Sequence, residues 1–270
     1  METSELARRG LVLLGCGKMG SALLEGWLKG GLAAESVWVL DPHPSDWLRG
    51  QDIHLNAPLP AHPAIVLVAV KPQMMATALP QLAPMGRGET LFLSIAAGTT
   101  IAHYEQTLGA TTPVIRAMPN TPAAIGRGIT AITGNARATG AHVALAERLL
   151  SAVGQVVRLE GEHQMDAVTA VSGSGPAYVF HLIESLAAAG VAEGLPPALA
   201  LHLARATVAG AGALAEASDE DPGQLRVNVT SPGGTTAAAL KVLMDETCGF
   251  PALLRAAVHA AAERGRELGK

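Results

Sequence analysis

Leu11-Val12-Leu13-Leu14-Gly15-Cys16-Gly17-Lys18-Met19-Gly20 is the stretch on which the fold turns. Four apolar residues in a row suit a strand buried on both faces, as in parallel sheets. A G-x-G-x-x-G turn follows at Gly15, Gly17 and Gly20, and residues 18–29 read as the helix it opens. Gly15 permits the tight turn, Gly17 lets the backbone approach a pyrophosphate, and Gly20 lets helix and strand pack closely. The phosphates then rest on amides at the helix start. The same letters also suit a plain glycine-rich turn; the flanking strand and helix favour dinucleotide binding.

Outward from this turn, further strands are expected at 37–40, 65–70, 91–95, 114–117, 129–133 and 156–159, with helical stretches such as 18–29 and 140–153 between them. Alternating β and α elements predict a doubly wound, mostly parallel sheet. From about Gln164 strand-like runs stop and Ala-rich helical spacing begins. Phe250, Leu253, Leu254, Ala257, Val258 and Ala261 fall on one helical stripe. The expected fold is α/β: a Rossmann-type dinucleotide-binding domain over 1–162, then an all-helical domain over 163–270, with a hinge at 161–163.

Composition narrows the function classes. Apolar residues make up 49% of the 270 and charged residues 16%, too apolar for a disordered chain. A net charge of −4 without a basic tract argues against a nucleic-acid partner. Cys16 and Cys248 have neither metal-ligand nor C-x-x-C spacing, so a reducing, cytoplasmic setting is the default and no metal site is expected. The apolar run before Cys16 is too short for a signal core, and no stretch reads as a membrane span.

Asp41 ends the second expected strand. An acid there accepts hydrogen bonds from the adenosine ribose and repels a 2′-phosphate, which points to NADH; alternatively Asp41-Pro42 simply opens a loop. Lys18 and residues 43–45 leave room for a phosphate, hence NADPH. Val70-Lys71-Pro72, Ser94-Ile95-Ala96-Ala97-Gly98 and Met118-Pro119-Asn120-Thr121-Pro122 all follow strands. Carboxyl ends of parallel strands face the ligand crevice, so Ala96 and Ala97 suit a flat ring and Asn120 a carboxamide. Singly, each is equally a structural turn.

Ser231-Pro232-Gly233-Gly234-Thr235-Thr236 precedes a second informative helix. Ser231 suits an N-cap and Pro232 the first helical position. Two glycines there cost up to ~1 kcal/mol each relative to alanine, with bare amides and room for a small anion as the return. An ordinary capped helix is the alternative. Ser172-Gly173-Ser174-Gly175-Pro176 reads as a similar flexible loop opening a helix. It is no hydrolase elbow, because no strand precedes it. No lysine lies between Lys71 and Lys241, which argues against a hydroxyacid dehydrogenase that needs a base on its second domain. Imine reduction needs less help, since a protonated imine already attracts hydride. Another imine reductase, or a non-catalytic dinucleotide binder, remain the other readings.

Gly15–Gly20, Ala69-Val70-Lys71-Pro72, residues 94–98, Arg116 to Ala123, Val171 to Phe180, Pro222-Gly223-Gln224-Leu225 and residues 231–236 occur in an order and spacing that resembles the pyrroline-5-carboxylate reductase family over nearly the whole chain. The resemblance implies that the helical part is a dimerisation domain, with homodimers further assembled into rings and the active site between domains near the dimer interface. It implies NADPH or NADH held by Gly15, Gly17, Lys18, Met19, Gly20, Asp41, Asn56, Ala69, Val70, Lys71, Pro72, Ala96, Ala97 and Asn120. It implies a substrate carboxylate held by Ser231 and the amides of Gly233, Gly234 and Thr235, with Thr236 on the ring nitrogen and Ser174 nearby. Three departures stand out: Lys18 where the family often has Asn, Asp41 in a family that commonly accepts NADPH, and Leu225-Arg226-Val227 where Leu-Lys-Asp is frequent.

Overall fold

Eight strands form one sheet: β1 (Leu11–Leu14), β2 (Val37–Leu40), β3 (His54–Leu55), β4 (Ile65–Val68), β5 (Leu91–Ser94), β6 (Val114–Met118), β7 (Gly128–Gly134) and β8 (Gly154–Arg158), in the order β3-β2-β1-β4-β5-β6-β7-β8. The structure is a computed structural model and describes residues 4–269; residues 1–3 and 270 of the expected domains lie outside it. Every pairing is parallel except β6 with β7. The chain runs outward one way from β1 through β2 and β3, then returns to start again at β4. The reversal lies between β1 and β4, the place where doubly wound sheets bind ligands.

Residues alternate between the two faces of the sheet. Leu11, Leu13, Ile65, Leu67, Leu91 and Leu93 pack with Leu23, Leu24 and Trp27 on one side. Val12, Leu14, Val66, Val68 and Phe92 pack with Leu79, Leu82 and Tyr104 on the other. All are buried, each contributing roughly 1.5–3 kcal/mol. The indole Nε1 of Trp27 donates to the Leu149 carbonyl at 2.8 Å, so its one polar atom is satisfied.

The helices are α1 (Ser4–Arg9), α2 (Lys18–Lys29), α3 (Asp46–Arg49), α4 (Met75–Ala78), α5 (Ile101–Leu108), α6 (Gly140–Leu150), α7 (Met165–Val168), α8 (Gly175–Ala192), α9 (Pro197–Ala217), α10 (Pro222–Asn228), α11 (Thr235–Leu243) and α12 (Phe250–Leu268). Helix α2 spans the residues expected of it and buries Gly20, Leu23, Leu24 and Trp27. Strands β4 and β5 stop earlier than expected, at Val68 and Ser94, where the chain turns toward the crevice.

The chain divides into two compact units. One runs to Gly173 and takes in the chain from Ala261 onward; the other is Ser174–Ala260. This division lies beyond the 161–163 hinge because the intervening turns stay with the sheet. Met165 and Ala170 are buried, and a Cβ on Gly173 would stand 2.5 Å from Met118 Cε. Residues 172–174 are not a flexible loop, contrary to the sequence reading. Thr169–Gly173 is a π-helical turn that leads directly into α8, with Ser172 Oγ donating to the Val168 carbonyl at 3.0 Å. Such single π turns recur at functional sites.

In the second unit α8 and α9 pack through small residues: a Cβ on Gly190 would lie 3.3 Å from Ala200 Cβ, and Ala204 is buried. Most large apolar side chains of this unit are exposed in the single chain, among them Phe180, Leu214 and Leu253. By length and composition alone α9 could cross a membrane, which departs from the expectation of no such segment. Alanine rather than leucine supplies much of that apolarity, and His202 and Arg205 interrupt it.

Candidate active site

The glycine loop has the geometry its sequence implies. Gly15 sits at φ +84°, and a Cβ there would meet Val70 Cγ1 at 2.9 Å and the Ala69 carbonyl oxygen at 3.1 Å. Ala69 and Val70 at the end of β4 thus pack against the turn. A Cβ on Gly20 would come within 2.8 Å of the Gly15 carbonyl oxygen, so helix and turn touch backbone to backbone. Gly17 is different: nothing lies within 4 Å of its Cβ position. Gly17 is also the N-cap of α2 and supplies no side-chain hydrogen bond, so the first-turn amides are left for a phosphate. Lys18 is exposed at this helix start, and Met19 packs on the core.

Asp41 is wired into the same loop. Its Oδ2 accepts the Cys16 amide at 2.8 Å and its Oδ1 accepts the His43 amide at 2.8 Å. Asn56, at φ +51°, brackets the Asp41 backbone: Oδ1 accepts the Asp41 amide at 2.9 Å and Nδ2 donates to the Asp41 carbonyl at 2.8 Å. The Asn56 side chain therefore orients Asp41. Burial pushes the Cys16 thiol above its ordinary pKa, with Ser21 opposing and Asp41 adding to the rise. A raised pKa makes it a poor nucleophile.

The strand ends converge as the topology requires. Lys71 is exposed and precedes a short 3₁₀ turn opened by Pro72. Ala96 is buried and Ala97 half-buried in the turn after β5. Asn120 follows β6, and its Oδ1 already accepts the Ile129 amide at 2.9 Å, which fixes the side chain and leaves its NH₂ group to donate. Buried polar groups absent from the sequence reading lie beneath this row. Ser94 Oγ is 2.5 Å from the Tyr104 hydroxyl, and Arg116 Nη1 is 2.5 Å from Glu162 Oε1. An arginine inside the apolar run Val114-Ile115-Arg116-Ala117 was the available signal, because a buried guanidinium needs a carboxylate.

The second unit carries the Ser231–Thr236 stretch. Ser231 does not cap a helix: residues 231–234 form a turn, and α11 begins at Thr235 with Gly234 as N-cap. The reason is Gly233, whose φ of +70° no helical turn accepts. Space around Gly233 is open, while Ser231 Oγ lies 2.5 Å from where a Gly234 Cβ would be. No side chain caps α11, so its first amides and the Thr236 hydroxyl are available at a positive helix end. Arg226, one of the departures from the family pattern, reaches Met244 Sδ at 3.2 Å.

Comparison with known proteins fits both halves. A family profile described as pyrroline-5-carboxylate reductase dimerisation matches residues 162–268, and one described as NADP oxidoreductase, coenzyme F420-dependent, matches residues 10–98. The chain is 40% identical to the pyrroline-5-carboxylate reductase of Pseudomonas aeruginosa over 96% of its own length and 97% of the relative's. It is 39% identical to that of Methanosarcina acetivorans over 95% and 97%. Among solved structures, the enzyme from Coxiella burnetii superposes with a TM-score of 0.90 at 32% identity over 97% and 99% of the chains. The enzyme from Plasmodium falciparum, with NADP bound, gives 0.83 at 30% over 97% and 98%. Likeness of this extent, along both the glycine-loop unit and the helical unit, makes the chain a member of the pyrroline-5-carboxylate reductase family.

Proposed function

We propose that this chain reduces the C=N bond of Δ1-pyrroline-5-carboxylate with NADPH or NADH, giving L-proline, the last step of proline biosynthesis. The observation that carries the reading is the uncapped start of α11 behind Gly233, a site for a small carboxylate in a chain that also holds a glycine loop with open space over Gly17. The glycine loop fits a dinucleotide, whose bound form supplies the hydride. Gly15, Gly17, Lys18, Met19 and Gly20 take its phosphates, Asp41 and Asn56 its ribose end, and Ala69, Val70, Lys71, Pro72, Ala96, Ala97 and Asn120 line its path.

Ser231 and the amides of Gly233, Gly234 and Thr235 hold the substrate carboxylate, with charge-assisted hydrogen bonds reinforced by the helix dipole. Thr236 hydrogen-bonds the ring nitrogen, which keeps the protonated imine in place as its carbon accepts hydride. Ser174, next to the π turn, lines the same substrate. No protein base is required, in keeping with the absence of lysine between Lys71 and Lys241. Positioning supplies much of the rate.

Two further readings attach to this one. Asp41 favours NADH, because its carboxylate lies where a 2′-phosphate would add a second negative charge. The exposed apolar faces of α8, α9 and α12 pair two copies into a homodimer, and dimers into a ring, so α9 is a subunit contact and not a membrane span. Two unpaired cysteines suit a cytoplasmic enzyme. Oxidation of NADPH and of NADH, each followed with Δ1-pyrroline-5-carboxylate and with unrelated imines and 2-oxo acids, tests the function. Activity on the oxo acids alone would reject it.

A further inference from the structure

The turn between β5 and α5, residues 95–100, is anchored by polar groups at both ends. At its start, Ser94 Oγ accepts the Ala96 amide at 3.2 Å and meets the Tyr104 hydroxyl at 2.5 Å. At its end, Thr100 caps α5 by accepting the His103 amide, and Glu162 Oε1 takes the Ile101 amide at 2.8 Å. The same Glu162 oxygen accepts Arg116 Nη1. Arg116 stands beside Ser94 in the β5–β6 register, and its side chain is 8% exposed against 32% for Glu162. One carboxylate oxygen thus joins β6, the first amide of α5, and the 3₁₀ turn that follows β8.

The end of α12 packs on the middle of this turn, where a Cβ on Gly98 would lie 3.1 Å from Leu268 Cβ. A cavity of about 360 Å³ lies behind it, lined by Gly98, Thr100, Arg116, Glu162, His163 and Asp166 among others. Gly98, at φ +73°, adds backbone freedom in the middle of the turn. The contact with Leu268 holds the middle of the turn, while the hydrogen bonds at each end set the direction in which Ala96 and Ala97 leave β5.

We propose that Glu162 is a positioning residue for the nicotinamide end of the dinucleotide site: by tying Arg116 to the Ile101 amide it fixes the turn that carries Ala96 and Ala97. The inference rests on the reading of that turn as the wall against which the nicotinamide lies. Glu162 touches neither substrate nor cofactor. Its effect is on where the ring sits, and so on the hydride donor–acceptor distance, to which rate is steeply sensitive.

The test uses the full-length protein with Glu162→Gln, Glu162→Asp and, should the first fail to fold, Arg116→Lys. Affinities for NADPH and for 2′-phospho-ADP-ribose, which lacks the nicotinamide, are measured by calorimetry. Turnover is compared with NADPH and with NADPH deuterated at the transferred position. The expected result for Glu162→Gln is a fall in kcat of about tenfold, a larger isotope effect, weaker NADPH binding, and unchanged affinity for the truncated molecule. Glu162→Asp restores part of kcat. A variant that melts earlier yet keeps kcat per folded site and the isotope effect overturns the proposal, since a merely structural brace would do that. Ala97→Leu separates the underlying reading: if it leaves NADPH affinity intact, the turn is not the nicotinamide wall. If it weakens NADPH while Glu162→Gln changes nothing, only the role of Glu162 fails.

Discussion

Asp41 Oδ2 accepts the Cys16 amide at 2.8 Å, so the carboxylate at the end of β2 is part of the glycine loop and not a neighbour of it. Its other oxygen takes the His43 amide, and Asn56 clamps its backbone from both sides. A negative group held this firmly cannot swing away from an arriving 2′-phosphate. Asp41→Ser is therefore expected to shift the NADPH to NADH ratio of kcat/KM toward NADPH by about tenfold or more, equivalent to ~1.4 kcal/mol. It also removes a brace on Cys16, so NADH affinity falls. Steady-state kinetics with each cofactor read both effects, and an unaltered ratio would remove Asp41 from cofactor selection.

Gly17 and Gly20 make a matched pair of opposite expectations. A methyl at Gly17 meets no protein atom, and φ there is −71°, so Gly17→Ala folds and loses only what alanine costs at an N-cap, on the order of 1 kcal/mol or less. The methyl occupies the space a pyrophosphate needs, and dinucleotide affinity drops at least tenfold. A methyl at Gly20 meets the Gly15 carbonyl oxygen at 2.8 Å, which must move helix α2 away from the turn. Gly20→Ala is expected to cost about 1–3 kcal/mol of stability. Thermal melts alongside dinucleotide titrations distinguish the two, and a Gly17→Ala protein destabilised as much as Gly20→Ala would contradict the open geometry.

What the sequence disclosed, and what it withheld, follows from the range of the interactions. Strands β1, β4 and β5 were legible because both faces are buried and the letters run continuously apolar. The glycine loop was legible because its requirements are local: a turn, a bare approach and a close contact within six residues. Strand β3, two residues long with one exposed, carries no periodic pattern that could mark it. Ser172-Gly173-Ser174-Gly175-Pro176 reads as a loop because Ser, Gly and Pro signal turns, whereas the chain makes a π turn at Thr169–Gly173 in which Gly173 admits Met118 from β6. The Arg116–Glu162 pair joins residues 46 positions apart, and spacing along the chain cannot reveal such a contact. At α11 the letters allowed an ordinary Ser-capped helix; only the positive φ of Gly233 shows that the helix starts later.

Tyr104 gives an alkaline signature. The ring is fully buried, and burial pushes its phenol up to about 12, with the Ser94 hydrogen bond and the Arg116 charge partly opposing. Its ordinary value is 10.0, so between pH 10 and 12 the unfolded chain ionises while the folded one does not. Stability from this group is complete below pH 10 and declines as pH rises, by on the order of 2–3 kcal/mol at pH 12. Tyr104→Phe removes one of the two hydrogen bonds at Ser94 Oγ, which still accepts the Ala96 amide, and costs about 0.5–1.5 kcal/mol at neutral pH. It also abolishes the alkaline loss, so the stability curves of the two proteins converge above pH 10. Urea unfolding at a series of pH values measures this, and parallel curves would mean that the phenol is not held neutral in the native state.

Thr236 tests the substrate half. It lies in the first turn of α11, half-buried, where alanine is intrinsically the better helix former. Thr236→Ala should therefore fold and melt as the parent does, or slightly higher. Its cost falls on the reaction, because a hydroxyl that holds the imine nitrogen is worth about 0.5–1.5 kcal/mol for a neutral pair and about 1.5–3 kcal/mol when the partner is charged. The protonated imine is the charged case, so kcat/KM should fall by between about tenfold and a hundredfold. Thr236→Ser keeps the oxygen and should retain most activity, whereas Thr236→Val keeps the shape without it and should resemble alanine. If serine and valine behaved alike, the methyl and not the hydroxyl would be the functional group, and the carboxylate clamp alone would have to orient the ring.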